Sequence, residues 1–147
     1  MKRSWLVLGV LLPSIAWMTW ANAAEPKHVE RLLKKNKCEN CKLAEAPLSG
    51  LDLSEAELRG ANLNSAVFKE TNLQGADLRE TNLLWADFTN ADLSGALLEG
   101  ATLRHTNLRG ANLTGITPSD LNLHNARLCK TTLPDGTLSN RDCSRFR

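Results

Sequence analysis

The sequence predicts an all-β solenoid, in which the chain winds into a square coil and takes four consecutive groups of five for each turn. Two observations predict this fold. When residues 46–143 are aligned in fives, Leu stands at the third place sixteen times. The first place, two positions earlier, holds Ala eleven times and Thr four times. An α-helix repeats its apolar positions every three or four residues and a strand every two, so neither element alone explains the pattern.

The spacing of the two apolar places predicts the geometry of the coil. Residues i and i+2 of an extended segment point to the same side, so each five sends one small and one large side chain inward. The two polar or Gly residues that follow turn the chain through a corner, and four corners close a square. Stacked turns lie about 4.7–4.9 Å apart, and residues 46–143 make about five coils. Phe68 and Phe88 are one full turn apart and are therefore expected to be stacked neighbours.

Residues 1–23 have the three parts of a secretory signal peptide. Lys2 and Arg3 precede an apolar run, and the small residues Ala21 and Ala23 mark a cleavage site. The alternative is an uncleaved membrane anchor, but the apolar run is shorter than the ~20 residues that span a bilayer. We therefore expect Sec-type export to a periplasm, a thylakoid lumen or the cell exterior, without stable membrane insertion after cleavage.

Residues 24–45 precede the repeats and are expected to cover the open first coil, because repeat proteins need caps at their ends. Pro26 suits a first helical turn, and Val29, Leu32 and Leu33 recur at helical spacing. The sequence predicts a short α-helix over 26–36 that lies on the first coil. The alternative is a basic amphipathic helix on a membrane surface, for which three apolar residues are few.

Four cysteines in an exported chain predict disulfide bonds. Cys38 and Cys41 precede the first coil, and Cys129 and Cys143 lie in the last one. The coils between them would separate the two pairs by roughly 20 Å, whereas the Cα atoms of a disulfide approach within about 7 Å. The expected bonds are therefore Cys38–Cys41 and Cys129–Cys143. For the first pair, redox exchange and metal binding stay open as alternatives.

The opposite end is less regular than the body of the repeats. Pro118 takes the place of Leu, which predicts a locally distorted side, and residues 144–147 are expected to form a short tail. If residues 134–147 cover the last coil, a monomer is expected; if they do not, the open end favours an end-to-end dimer.

The tandem motif A(D/N)LxG, seen in GANLNS, GADLRE, NADLSG and RGANLTG, resembles the pentapeptide-repeat family. This resemblance implies a right-handed quadrilateral β-helix. The segment LLKKNKCENCKL before the first repeat is similar to exported bacterial members with an N-terminal capping helix and a CxxC motif. The biochemical roles of those members are mostly unassigned.

One outward-facing position departs from the polar pattern. Leu84 and Trp85 fill the fourth and fifth places, where other repeats have polar residues or Gly. In the square coil, Leu84 lies beside Arg104 and Trp85 beside His105. An exposed Trp next to Arg and His resembles the centre of a protein-binding patch, and these four residues are the candidate partner-binding site. The alternative is a scatter of surface apolar residues, which is normal in proteins.

The sequence favours a non-catalytic, rigid structural or protein-interaction module with a protein partner of unknown identity. No nucleophile, carboxylate pair or His cluster predicts a catalytic residue, a metal site or a cofactor, and no basic tract predicts a nucleic-acid partner. The alternative is a DNA mimic that binds a type II topoisomerase, as some pentapeptide-repeat proteins do. That function needs a strongly acidic rod, whereas residues 46–143 carry eight basic and twelve acidic residues, a net charge of −4.

Overall fold

The structure is a computed structural model that describes residues 23–145. Within these residues, one α-helix, α1 (Pro26–Lys35), comes first, and a long ladder of isolated parallel β-bridges follows it. Two short strands, β1 (Thr131–Thr132) and β2 (Leu138–Ser139), and a 3-10 turn (Cys143–Arg145) complete the described chain. The expected signal peptide, apart from Ala23, and the final two residues of the expected tail lie outside the described residues.

Every bridge of the ladder joins a residue to the one a full turn further on, from Lys37 with Glu57 to Asn112 with Thr132. The bridged residues occupy the second place of their fives. The later residue of each bridge bonds twice to the turn before it: the N–H of Val67 donates to the carbonyl of Ala46 at 3.0 Å, and the carbonyl of Val67 accepts from the N–H of Leu48 at 2.8 Å. The predicted turn of four fives is therefore confirmed.

The polar places of each five build the corners. In the five that begins at Leu51, the Oδ1 atom of Asp52 accepts a hydrogen bond from the N–H of Ser54 at 3.1 Å, an Asx turn. The N–H of Ala56 then donates to the carbonyl of Leu53 at 3.1 Å. Glu55, at the fifth place, has φ +55°, the left-handed conformation that the third residue of a type II turn requires. Gly or Asn often fills this place because both residues tolerate that conformation.

The first and third places form the core, as the apolar pattern predicts. Phe68 and Phe88 are fully buried, and their rings stack with centroids 4.8 Å apart and an interplanar angle of 3°. Thr at the first place is buried too, but its hydroxyl finds a partner: Thr71 Oγ1 donates to the carbonyl of Leu48 at 2.8 Å. A buried hydroxyl at this place therefore has a hydrogen-bond acceptor, which avoids the energetic cost of an unsatisfied buried polar group.

Helix α1 packs against the first turn of the coil through one side. Leu32 is fully buried, and the partly buried Val29 packs against the same core. The helix ends where Asn36 adopts φ +56° and donates its N–H to the carbonyl of Leu32 at 2.8 Å, a common C-terminal motif. Coil pairing starts with the next residue, Lys37.

The bridged ladder begins earlier than the repeat region of residues 46–143 expected from the sequence, because two cysteines replace core residues of the pattern. Cys38 stands at a third place and Cys41 at the following first place, and both side chains are buried. The CxxC segment is thus part of the first coil rather than a connection before it.

The ladder also ends earlier than residue 143. Among residues 23–145, Thr102 does not form the expected bridge to Asn122, one turn further on. On the next side of the square, Asn107 does pair with Arg127. This gap lies beside Pro118, where the sequence predicts a distorted side. The five that contains Pro118 is itself still paired, through Thr117 with Leu97, so the loss of pairing begins on the next side of the square.

After Leu133 the chain reverses and does not start another coil. The carboxylate of Asp135 accepts hydrogen bonds from the N–H and the hydroxyl of Thr137 at 2.9 and 2.7 Å, and β2 pairs with β1 in the antiparallel direction. The chain segment after Leu133 is therefore a hairpin against the last turn, which corrects its assignment to the regular β-helix.

Residues 140–142 then complete the exposed edge of the last turn. The N–H of Lys130 donates to Asn140 Oδ1 at 3.2 Å, and the N–H of Leu128 donates to Asp142 Oδ2 at 2.9 Å. The guanidinium of Arg141 donates to the carbonyl of Ala126. These side chains stand in for the backbone groups of a following coil, so we call residues 134–143 the C-terminal cap.

Candidate interaction surface

Trp85 is the most conspicuous side chain on the outside of the coil. It is 59 % exposed, and its ring stacks on that of His105 with centroids 4.3 Å apart and an interplanar angle of 15°. Both residues occupy the fifth place of their fives, one turn of the coil apart. The predicted contact between them is therefore present.

The backbone holds this stack in place. Trp85 and His105 have φ +62° and +59°, so both side chains leave the chain from the same left-handed corner. The N–H of Trp85 donates to the carbonyl of Arg104 at 3.2 Å, and the N–H of His105 donates to the carbonyl of Asn125 at 3.0 Å. The backbone that carries the stack is thus held by the same kind of hydrogen bonds between turns as the rest of the coil.

The other two candidate residues flank the stack at the fourth place. Leu84 is half-buried, whereas Arg104 is exposed and forms no ion pair within residues 23–145. The carbonyl of Leu84 accepts from the N–H of Ser65 at 2.8 Å. The structure therefore brings an exposed aromatic stack, an apolar side chain and a cation to one corner of the coil.

Each cysteine lies within bonding distance of the partner expected from the sequence. The Cα atoms of Cys38 and Cys41 are 5.3 Å apart, and those of Cys129 and Cys143 are 4.7 Å apart. The first bond crosses a corner of the first coil. The second joins the last turn to the C-terminal cap, so each end of the coil carries one covalent link.

A second surface feature is absent from the sequence-based expectations. A polar cleft of about 480 Å³ lies on the side of the coil that follows Trp85 along the chain. Its cationic lining residues come from three of four stacked turns: Lys69, Arg109, Arg127 and Lys130. Their separations along the chain are close to whole turns of the coil. This spacing is the one feature of the sequence from which their proximity could have been predicted.

The charged groups at the N-terminal end form a local network of their own. Glu25 lies 2.8 Å from Lys27 Nζ and 3.1 Å from Lys42 Nζ. Hydrogen bonds from these two ammonium groups, that of Lys27 foremost, lower the pKa of Glu25 from 4.5 to about 2. The network ties the start of α1 to the first coil. Among residues 23–145, no cluster of three or more His, Cys, Asp or Glu side chains is placed to hold a metal ion.

Both the sequence and the structure of the square coil are similar to those of known proteins. The sequence profile of a pentapeptide repeat region matches residues 33–108, just over half of the chain. The chain belongs to the pentapeptide-repeat family. The matched region begins before residue 46, in agreement with the early start of the bridged ladder at Lys37.

Two solved pentapeptide repeat proteins support this assignment. One, from Nostoc PCC 7120, is 31 % identical with a TM-score of 0.59, over 69 % of this chain and 90 % of that one. The other, from the thylakoid lumen of Arabidopsis thaliana, is 26 % identical with a TM-score of 0.52, over 71 % of this chain and 70 % of that one. Pentapeptide repeat proteins form right-handed β-helices, and this chain is accordingly a β-helix of that class.

Other known proteins are only distantly similar to this pentapeptide repeat protein. A plasmid-mediated fluoroquinolone resistance protein is 18 % identical, with a TM-score of 0.27 over 74 % of this chain and 71 % of that one, which is too dissimilar to support an argument about role. No curated protein sequence matches the chain significantly. Of the helices within residues 23–145, none has the length and apolar character needed to cross a bilayer.

Proposed function

We propose that this chain is an exported, non-catalytic pentapeptide repeat protein of about five coils that acts as a rigid protein-interaction module. The observation that carries the proposal is the Trp85–His105 stack. It presents a large aromatic surface to solvent at a fixed position on the coil. Aromatic and Arg side chains dominate the binding energy of protein interfaces, and Arg104 lies beside this stack in the ladder.

Rigidity supports an interaction role because it lowers the entropy lost on binding. The stack is fixed from below by backbone hydrogen bonds from Trp85 and His105, and the ladder continues over the coils on either side. A partner that docks on Leu84, Trp85, Arg104 and His105 therefore finds these groups already in place.

Three observations support export. The N-terminal sequence has the parts of a signal peptide. All four cysteines lie at disulfide distance in two pairs, and disulfides persist in oxidising compartments. One similar protein comes from a thylakoid lumen.

The deciding experiment for the interaction role is a crosslinking pull-down from the exported compartment with wild-type and Trp85→Ala protein. We expect Trp85→Ala to lose a partner that the wild-type protein captures, and to keep its stability because Trp85 is not part of the core. Leu138→Ala is the matched control, since Leu138 is also a large exposed apolar residue, 61 % exposed, but lies in the C-terminal cap. An unchanged capture profile for Trp85→Ala at unchanged stability would refute the proposed surface.

Export is tested separately by fusing the segment 1–30, which contains the expected signal peptide, to a reporter that is active only in the periplasm. Reporter activity is the expected result. Retention in the cytoplasm would contradict export and would revive the alternative of a topoisomerase-binding DNA mimic, for which a net charge of −4 over residues 46–143 is weak support.

A further inference from the structure

The polar cleft on the side of the coil after Trp85 is a site that the proposed function does not use. Residues of the second, fourth and fifth places line it, and the Cys129–Cys143 disulfide forms part of its wall. Gly110 is one of the lining residues. A Cβ atom at that position would clash with Asn90 Oδ1, so the absence of a side chain lets Asn90 lie across it.

The cleft is rich in cations. Lys69, Arg109, Arg127 and Lys130 line it, and Asp87 is the one carboxylate among its lining residues within the described chain. This excess of positive charge contrasts with the net negative charge of residues 46–143 as a whole. The local charge is thus opposite in sign to that of the repeat region.

The single carboxylate is already satisfied by neighbours. Asp87 Oδ1 accepts from the hydroxyl of Thr89 at 2.6 Å and from the amide of Asn107 at 3.0 Å. Asp87 Oδ2 lies 3.4 Å from Lys69 Nζ. Asp87 therefore offsets the charge of Lys69 and links Thr89 to Asn107 through hydrogen bonds.

Arg109 and Lys130 remain without an ion pair anywhere in residues 23–145. They belong to consecutive turns and stand at the fourth and fifth places of the same corner. Both side chains line the same cleft, so an anion bound there would be attracted by two positive charges. A guanidinium also presents its N–H groups in a fork that matches the oxygen atoms of an oxyanion.

We propose that this cleft binds a doubly charged oxyanion of the phosphate type, with Arg109 and Lys130 as its main ligands. The amide of Asn90 and the side chain of Arg127 complete the polar lining. A volume of about 480 Å³ accommodates a free phosphate ion and equally the phosphate end of a larger molecule. The site is independent of the Trp85 surface, because none of the four residues proposed there lines the cleft.

The test is a titration of the disulfide-intact protein with inorganic phosphate, followed by amide chemical shifts at constant ionic strength. We expect saturable shifts centred on Asn107, Gly110 and Lys130. The double variant Arg109→Gln/Lys130→Gln should weaken binding roughly a hundredfold, about tenfold for each lost charge-assisted hydrogen bond. A phosphate monoester titrated in parallel distinguishes the two sources, because tighter binding of the ester identifies a phosphorylated molecule as the ligand.

A matched control removes the same two charges elsewhere. Arg31 and Lys35 are exposed on α1 and, within the described residues, also lack an ion pair. Arg31→Gln/Lys35→Gln should bind phosphate as the wild-type protein does. Shifts that do not saturate, or equal weakening in both double variants, would show only general attraction between charges and would overturn the proposal.

Discussion

Phe68 and Phe88 lie face to face in the core, with ring centroids 4.8 Å apart, although a full turn of the coil separates them along the chain. Both are fully buried, so each ring forms part of the packing surface of the other. Removal of one ring leaves a cavity that the rigid ladder cannot close.

Phe88→Ala is therefore expected to lower the free energy of unfolding by about 3–5 kcal/mol. Phe88→Leu restores the residue that fills most third places and should cost less than half as much. Urea denaturation of both variants measures the difference. Equal losses for Ala and Leu would contradict a packed column of side chains at this position.

Much of this fold could be predicted from the sequence because the same pattern of inward and outward residues recurs in every group of five. The period of five gives the inward places, and four such units close the turn, so the proximity of Trp85 and His105 follows from the sequence alone. The same logic fails where a residue deviates from the pattern. Cys38 and Cys41 replaced the Leu and Ala of a repeat, which hid the true start of the ladder at Lys37.

The C-terminal cap could not be predicted for a different reason. It depends on three side chains, those of Asn140, Arg141 and Asp142, that replace the backbone groups of a missing coil. Such substitutions follow from the path of the chain after Leu133 and leave no periodic signal. The cationic cleft is a different case: its cations do recur at nearly whole turns of the coil, but they stand at outward places, where polar residues are usual and do not attract notice.

The cap makes a specific prediction for Asp142. Its carboxylate accepts the N–H of Leu128 at 2.9 Å, and its own N–H donates to the carbonyl of Leu128 at 2.8 Å. Asp142→Ala leaves the Leu128 N–H without its acceptor and should lower stability by about 1–3 kcal/mol. Asp142→Asn keeps an oxygen in place and is the control.

Hydrogen exchange at the Leu128 amide gives the direct measurement. We expect faster exchange in Asp142→Ala and near wild-type exchange in Asp142→Asn, with the Cys129–Cys143 bond intact in both. Unchanged protection of Leu128 in the Ala variant would mean that the cap does not complete the edge of the last turn.

Gly60 and Asn40 lie on consecutive turns of the coil, and substitutions at the two positions should have coupled effects on stability. Gly60 has φ +68°, and a Cβ atom there would clash with Asn40 Oδ1. Gly60→Ala should therefore lose stability both through the left-handed backbone, by about 1–2 kcal/mol, and through the clash. Asn40 also has a left-handed backbone, φ +53°, so Asn40→Ala has a cost of its own. In the Asn40→Ala background, Gly60→Ala should cost only the backbone part, because the clash is absent.

Gly115 supplies the reference for this pair. It also has φ +68°, but a Cβ atom there would have no neighbour within 4 Å. The loss that Gly60→Ala causes in the Asn40→Ala background should match the loss that Gly115→Ala causes in the wild-type protein, as measured by thermal unfolding. If the single variant Gly60→Ala already matches Gly115→Ala, the two turns do not touch as described.

Glu25 predicts a pH dependence at the other end. Its pKa is lowered from 4.5 to about 2, chiefly by the hydrogen bond from Lys27 and then by that from Lys42. Because the folded-state pKa is depressed, the contribution to stability is fully present above about pH 4.5 and is lost as the pH falls through about 2. Glu25→Gln should thus be less stable than wild type at neutral pH, and the gap should close on acidification.

Thermal unfolding of both proteins across this pH range provides the measurement. Glu30→Gln is a suitable control, because Glu30 pairs with Lys34 within α1 and does not link the helix to the coil. A gap between wild type and Glu25→Gln that persists unchanged at the lowest pH would show that the ion pairs of Glu25 do not cause it.

The Trp85–His105 stack can be observed directly, because the sequence after residue 23 contains no other tryptophan. In a chain that starts at residue 24, the fluorescence therefore comes from Trp85 alone. His105→Ala removes the ring that covers one side of the indole at 4.3 Å, so water gains access to it. We expect emission at longer wavelength and stronger quenching by acrylamide.

His124→Ala is the matched control for this stack. His124 is exposed one turn further on, at the fourth place rather than the fifth, and should leave the emission of Trp85 unchanged. A shift of similar size in both variants, or in neither, would contradict a fixed stack. The proposed partner surface would then lose the preorganisation on which its affinity depends.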